Sequence, residues 1–237
     1  MTTDRPDDHL ASAEPLDATA HLGLVIFDCD GVLVDSERLT VAVEARMLTE
    51  MGWPITVDEV VRRFVGGSSD AMLTEIEHHL GPDLTAEFDR RSTEEIIATF
   101  HAELQPVPGV RALVEALDRA DVPTCVASSG SHRKMDLTLG LTGLHPLFEG
   151  RIHSGSEVER GKPWPDLFLH AARSMGVDHR RCVVIEDSIN GARAAIAAGM
   201  TCYGFGGGLT VRDELEATGA IVFDTMPELQ AVLVGAA

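Results

Sequence analysis

Acidic residues gather where two apolar runs stop. Leu24-Val-Ile-Phe27 leads straight into Asp28, Cys29, Asp30 and Gly31, and Cys182-Val-Val-Ile185 leads into Glu186, Asp187 and Ser188. Carboxylates buried beside apolar segments are costly unless a positive charge is held among them. A third run, Val122 to Ala127, stops at Ser128-Ser129-Gly130-Ser131 ahead of a helical stretch. Small hydroxyls and free backbone N–H groups at a helix start are the chemistry of an anion site. The chain has only two lysines, Lys134 and Lys162. Lys134 lies just beyond the serine-rich turn, and Lys162 stands in Gly161-Lys-Pro-Trp-Pro-Asp166. An acidic pocket for a cation beside a site for an anion is the arrangement these types suggest.

Charge narrows the classes of partner. The formal net charge is −19 over 237 residues. That argues against nucleic acid, whose phosphates need clustered Lys and Arg. An anionic substrate must then be met by local positive charge that overrides the field of the whole chain.

The elements that carry these residues follow from periodicity. An unbroken apolar run such as Leu24–Phe27 reads as a strand buried on both faces of a parallel sheet. Its carboxyl end is where open α/β sheets bind ligands. After Glu37 the period lengthens to that of helices. Leu39, Val43, Met47 and Met51 share one face, Thr56-x-x-Glu59 reads as a capping box, and Ser68-Ser69-Asp70 opens a third helix. A fourth carries Phe88, Ile96, Ile97 and Phe100. From Pro106-Val-Pro108-Gly109 onward helix and strand alternate, which implies right-handed crossovers and a parallel sheet. The expectation is a doubly wound α/β core over residues 21–36 and 106–237. A four-helix insert spans 37–105, and a flexible tail spans 1–20. The Gly206-Gly207-Gly208 turn does not fit a dinucleotide fingerprint and reads as a loop under the active-site face.

The four cysteines are widely spaced, form no C-x-x-C pair, and fall in or beside the strand-like runs. Free buried thiols in a reducing cytosol are expected. None of the ten histidines has ligand spacing with them, and His78-His79 reads as a solvated pair on a helix. Neither a signal peptide nor a membrane-spanning run is legible. A cytoplasmic protein, monomeric or weakly homo-oligomeric, is the expectation.

The string DCDGVLVDSE from Asp28 resembles motif I of the haloacid-dehalogenase-like hydrolases. Ser128 stands where that family's second motif has its Ser or Thr. Lys162-Pro-Trp-Pro-Asp166 is similar to its third motif, and Glu186-Asp-Ser188 to its fourth. The form is that of the capped branch of phosphatases and β-phosphoglucomutases, and the helical insert matches its cap in place and length. The resemblance implies Mg²⁺ as cofactor and a small phosphorylated metabolite as substrate. Asp28 would be the nucleophile and Asp30 the acid and base. Asp28, the Asp30 carbonyl and Asp187 would hold the metal, with Glu186 acting on it directly or through water. Ser128, Ser129, Gly130 and Lys162 would bind the phosphoryl group, with Lys134 on the substrate. A hard cation with retained waters is what such carboxylates favour.

Asp30 sets this chain apart from the dehalogenase branch, which lacks the second acid. The mutase branch places a His about where this chain has Thr40, and a cap Arg about where it has Ser69. The run Ser128-Ser-Gly-Ser-His-Arg-Lys134-Met135 instead looks like the 6-phosphogluconate phosphatase type. A phosphatase of sugar or sugar-acid phosphates is therefore expected, with a phosphomutase as the alternative. A phospho-accepting signalling module is the alternative from another class.

Overall fold

In the computed structural model Leu24–Phe27 forms strand β1, with all four residues fully buried. The structure describes residues 22–65 and 69–235. The expected N-terminal tail, and Gly66 to Ser68 of the loop before the third insert helix, lie outside the described residues. So do the side chains of Ser69 and Asp70. Two units are present, one running to Val34 and resuming at Pro106, the other spanning Asp35–Gln105.

The first unit is built on β1, β2 (Thr124–Ser128), β3 (Ile152–Ser154), β4 (Cys182–Glu186), β5 (Thr201–Phe205) and β6 (Ile221–Phe223). These make one parallel sheet in the order β3-β2-β1-β4-β5-β6. The chain leaves β1 on one side for β2 and β3, then crosses to the other side for β4. Phe27 pairs with Val126 on one flank and with Ile185 on the other. Strand order therefore reverses at β1, and the crevice beyond such a reversal is where open α/β sheets take ligands. Alternation along β1 sends Leu24 and Ile26 to one face, where they meet Leu167, Phe168, Ala192 and Ala195. Phe27 packs edge-on against Phe148, with centroids 5.9 Å apart.

Strand β3 has no sequence signal. Ile152-His153-Ser154 contains one apolar residue and no run, and it is a strand because β2 supplies its ladder.

The second unit holds α1 (Ser36–Glu50), α2 (Val57–Phe64), α3 (Ser69–Leu80) and α4 (Pro82–Glu103). The capping box on α2 is made in both directions, Thr56 taking the Glu59 N–H and Glu59 taking the Thr56 N–H. α1 and α3 both pack on α4, burying Met47, Leu48, Ile76, Phe88 and Phe100. His79 is stacked on Trp53 at 3.9 Å rather than simply solvated.

Among the described residues six further helices flank the sheet: α5 (Val110–Arg119), α6 (His132–Leu141), α7 (Asp166–Ser174), α8 (Ile189–Ala197), α9 (Arg212–Glu216) and α10 (Met226–Val234). α6 and α8 are capped by Ser131 and Ser188, whose hydroxyls accept the N–H groups of Lys134 and Gly191. Those caps fix where α6 and α8 start, and so where the loops after β2 and β4 end. All four cysteines are free and buried. Among the described residues no helix is long and apolar enough to cross a membrane.

Candidate active site

The carboxyl ends of β1 and β4 bring three acids together. Asp28 prolongs the β1 ladder, its N–H donating to Ile185 O at 2.9 Å. Glu186 closes β4 and Asp187 follows it. One carboxylate oxygen from each of Asp28, Glu186 and Asp187 lies within 4.8 Å of the others, and all three residues are buried. Lys162 reaches in from the loop before α7. Its Nζ stands 2.6 Å from Asp28 Oδ1 and 2.5 Å from Glu186 Oε1, above the ring of Phe168, and its side chain is 5% exposed. Lys162 is thus not a solvated loop charge.

Glu186 is held on every side. Oε1 takes Lys162, while Oε2 accepts the N–H groups of Asp187 and Ser188 at 2.9 and 2.8 Å and the Ser188 hydroxyl at 2.9 Å. The neighbouring backbone is glycine where the acids need room. A Cβ on Gly191 would fall 1.8 Å from Glu186 Oε1, and one on Gly31 1.9 Å from Asp187 Oδ2. Gly31 also has φ +77°, a conformation other residues rarely adopt. Gly208, from the triple-glycine turn, would bring a Cβ to 2.8 Å of the same Asp187 oxygen. Ser188, Gly191 and Gly208 were not singled out as site residues in the sequence. Ser188 had a signal in the sequence as the last residue of Glu186-Asp-Ser188 and Gly208 as part of the triple-glycine turn, while Gly191, inside a helical stretch, had none.

Burial pushes the Asp28 carboxyl up to about 7; the Lys162 ammonium opposes this, and the Glu186 and Asp30 charges reinforce it. For Lys162, burial works against the charged form, but Asp28 and Glu186 outweigh it and hold the amine cationic. With Asp28 ionised to receive a cation, three carboxylates against one ammonium would leave two negative charges to be met. The donor set is all oxygen, the charge deficit is that of a divalent ion, and glycines keep Cβ atoms out. These residues fit Mg²⁺.

The anion side lies at the end of β2. Ser128 is buried, and its Oγ accepts the Gly130 N–H at 3.2 Å. Ser154 Oγ donates to Gly130 O at 2.7 Å and so fixes the turn from β3. Lys134 Nζ stands 2.8 Å from Asp30 Oδ2. A Cβ on Gly130 would stand 3.6 Å from Lys134 Cδ and from Ser128 Oγ, and 3.7 Å from Asp30 Oδ2. Those three side chains therefore surround one point. Asp28, Asp30, Ser128, Gly130, Lys134, Lys162, Glu186 and Asp187 all sit on one end of the sheet. Ser129 is exposed beside them. Lys134, expected on the substrate, is engaged by Asp30.

The family model described as "haloacid dehalogenase-like hydrolase" matches residues 22–199. The 6-phosphogluconate phosphatase of Escherichia coli (strain K12) is 34% identical over 182 residues, covering 76% of this chain and 81% of that protein. A solved haloacid dehalogenase-like protein of unknown function from Agrobacterium tumefaciens superposes with a TM-score of 0.79 at 39% identity, covering 90% of this chain and 97% of that one. A putative β-phosphoglucomutase from Thermotoga maritima gives 0.76 at 31% identity, covering 89% and 98%.

Proposed function

The chain belongs to the haloacid dehalogenase-like hydrolases, and from that membership we propose that it is a Mg²⁺-dependent phosphatase acting on a small phosphorylated sugar or sugar acid through a phosphorylated aspartate. The observation that carries the reading is the buried Lys162 ammonium bridging Asp28 and Glu186 beside Asp187. A carboxylate that must approach a phosphate dianion is repelled by it. Two like unit charges 4 Å apart cost roughly 4 kcal/mol at an effective dielectric near 20. A fixed ammonium at the carboxylate reverses that sign before substrate arrives.

In the first displacement an Asp28 carboxylate oxygen attacks phosphorus, the ester P–O bond breaks, and Asp30 protonates the departing oxygen. In the second, Asp30 takes a proton from water, the water oxygen attacks phosphorus, and the bond to Asp28 breaks to release inorganic phosphate. Lys134 orients the Asp30 Oδ2 for both transfers. Ser128, whose Oγ already accepts the Gly130 N–H, has its own hydroxyl hydrogen to offer a phosphoryl oxygen. Asp28, Asp187 and the Asp30 carbonyl would hold Mg²⁺, which when bound supplies positive charge to the transferring phosphoryl group. Glu186, occupied by Lys162 and three hydrogen-bond donors, would support that set through Lys162 or water.

The sugar-acid substrate class follows the E. coli relative, named a 6-phosphogluconate phosphatase. A panel of phosphorylated sugars and sugar acids, assayed for phosphate release with Mg²⁺ and with chelator, tests the reading. Release from sugar-acid phosphates that stops on chelation is expected. Mutase chemistry is tested with β-glucose 1-phosphate and a trace of the 1,6-bisphosphate. Isomerisation to glucose 6-phosphate faster than phosphate release would overturn the assignment.

A further inference from the structure

The turn after β3 carries a second cluster of titratable groups that the chemistry above does not use. Glu157 is its hub. Oε1 lies 2.5 Å from His132 Nε2 and accepts the Ser154 N–H at 2.9 Å. Oε2 lies 2.8 Å from His170 Nε2 and 3.8 Å from His153 Nδ1. The His153 and His170 rings stand edge to face, with centroids 5.4 Å apart. One carboxylate is therefore shared among three imidazoles from β3, α6 and α7.

His153 is the member an ordinary hydrogen-bond hub does not explain. It is 8% exposed, and its Nε2 is buried with no hydrogen-bond partner among the described residues. The nitrogen that faces Glu157 is Nδ1, 3.8 Å from Oε2 and beyond hydrogen-bond length, so the carboxylate does not satisfy this ring as it does the other two. Burial pushes the His153 imidazole below its ordinary value. A neutral ring keeps a lone pair to give, which metal ligation requires. One ligand atom each from His153, Glu157 and His170 already lies within 4.8 Å of the other two.

We propose that His153, Glu157 and His170 form a second divalent-metal site, of the zinc class, with His132 holding the far oxygen of Glu157. Two imidazoles and a carboxylate favour Zn²⁺ and its transition-metal neighbours over Mg²⁺, which prefers oxygen alone. Tetrahedral bonds of about 2.0–2.1 Å place ligand atoms roughly 3.3 Å apart. The 2.8 and 3.8 Å separations from Glu157 Oε2 lie on either side of that value. Three protein ligands leave one position to water, so the ion is exchangeable. The site also reaches the anion turn. Ser154 gives its N–H to Glu157 and its hydroxyl to Gly130 O, and His132 directly follows the Ser131 cap of α6. An ion on Glu157 braces the backbone that carries Ser128. This inference stands on the imidazole cluster and does not depend on the phosphatase reading.

The test uses untagged, metal-stripped full chain titrated with Zn²⁺, and separately with Co²⁺, in excess Mg²⁺. Wild type and Asp187→Asn should each bind one equivalent, and Co²⁺ should develop visible ligand-field bands in both. His170→Ala should weaken binding at least tenfold and lose the bands. His153→Ala should do the same, and His132→Ala should weaken binding about 10–100-fold as an outer partner of a ligand. His170 is partly exposed, so its variant decides the matter if the buried His153 variant does not fold. Failure of wild type to bind, or unchanged binding in His170→Ala, would overturn the site. Loss of binding in Asp187→Asn alone would also overturn it, leaving the acidic pocket as the one metal site and the imidazoles as a hydrogen-bond hub.

Discussion

Lys162 Nζ stands 2.6 Å from Asp28 Oδ1 in a setting almost closed to water. The pair places an ammonium against the carboxylate assigned as nucleophile, with Glu186 Oε1 as its second anchor. Replacing Lys162 by Met removes that charge and keeps most of the volume. The transition state should lose about 3 kcal/mol or more, a hundredfold or greater fall in kcat/KM. The metal-free fold should also lose about 3–5 kcal/mol, since Asp28 and Glu186 would be buried without their cation. A near-normal kcat/KM would return Lys162 to a structural role.

Asp28→Asn should abolish turnover and leave folding intact. The amide keeps the shape of the side chain and still offers Lys162 an oxygen, while Glu186 continues to hold the amine. Because burial already disfavours the charged Asp28, the variant should melt no lower than the metal-free wild type. Turnover above a hundredth of wild type, or an acyl-phosphate trapped on another residue, would exclude Asp28 as nucleophile.

Mg²⁺ binding should release a proton below neutrality. The Asp28 carboxyl is raised to about 7 in the folded, metal-free chain, against an ordinary value near 3.8, and the cation needs it ionised. In the window between those values the folded chain holds a proton that the unfolded chain has lost, so this group makes metal-free stability fall as pH rises toward 7. Calorimetry at pH 6 in buffers of different ionisation enthalpy should report close to one proton released per Mg²⁺, and at pH 8 close to none. Asp28→Asn should show none at either pH. Equal release at both pH values in wild type would contradict the linkage.

Gly191→Ala tests the cradle under Glu186. In an ordinary helix this change stabilises by about 1 kcal/mol. Here the new methyl would fall 1.8 Å from Glu186 Oε1, and overpacking of this kind costs typically 1–3 kcal/mol. Crowding should win, lowering the melting temperature and displacing the second anchor of Lys162. A more stable variant with full activity would show that Glu186 has slack.

The sequence alone was enough for the elements whose signals are local. Leu24–Phe27 and Cys182–Ile185 are unbroken apolar runs that end in acids, and both are central strands with those acids at their carboxyl ends. Thr56 and Glu59 form the capping box their spacing predicts, and each insert helix lies where its apolar period placed it. Such features depend on neighbours a few residues away, and neighbours in sequence set backbone propensity and facing.

Tertiary structure decided what those signals cannot carry. β3 exists because β2 offers a ladder to a segment with one apolar residue. Lys134 meets Asp30 across 104 positions, and Lys162 meets Asp28 across 134, because the strand order reverses at β1 and brings remote loops to one end of the sheet. His132, His153 and His170 have no ligand spacing along the chain, yet an adjacent strand and two helices gather them on Glu157. Spacing in sequence limits which side chains share a strand or a helix face. Which strand ends and loops converge is fixed only when the sheet closes its order and buries both faces.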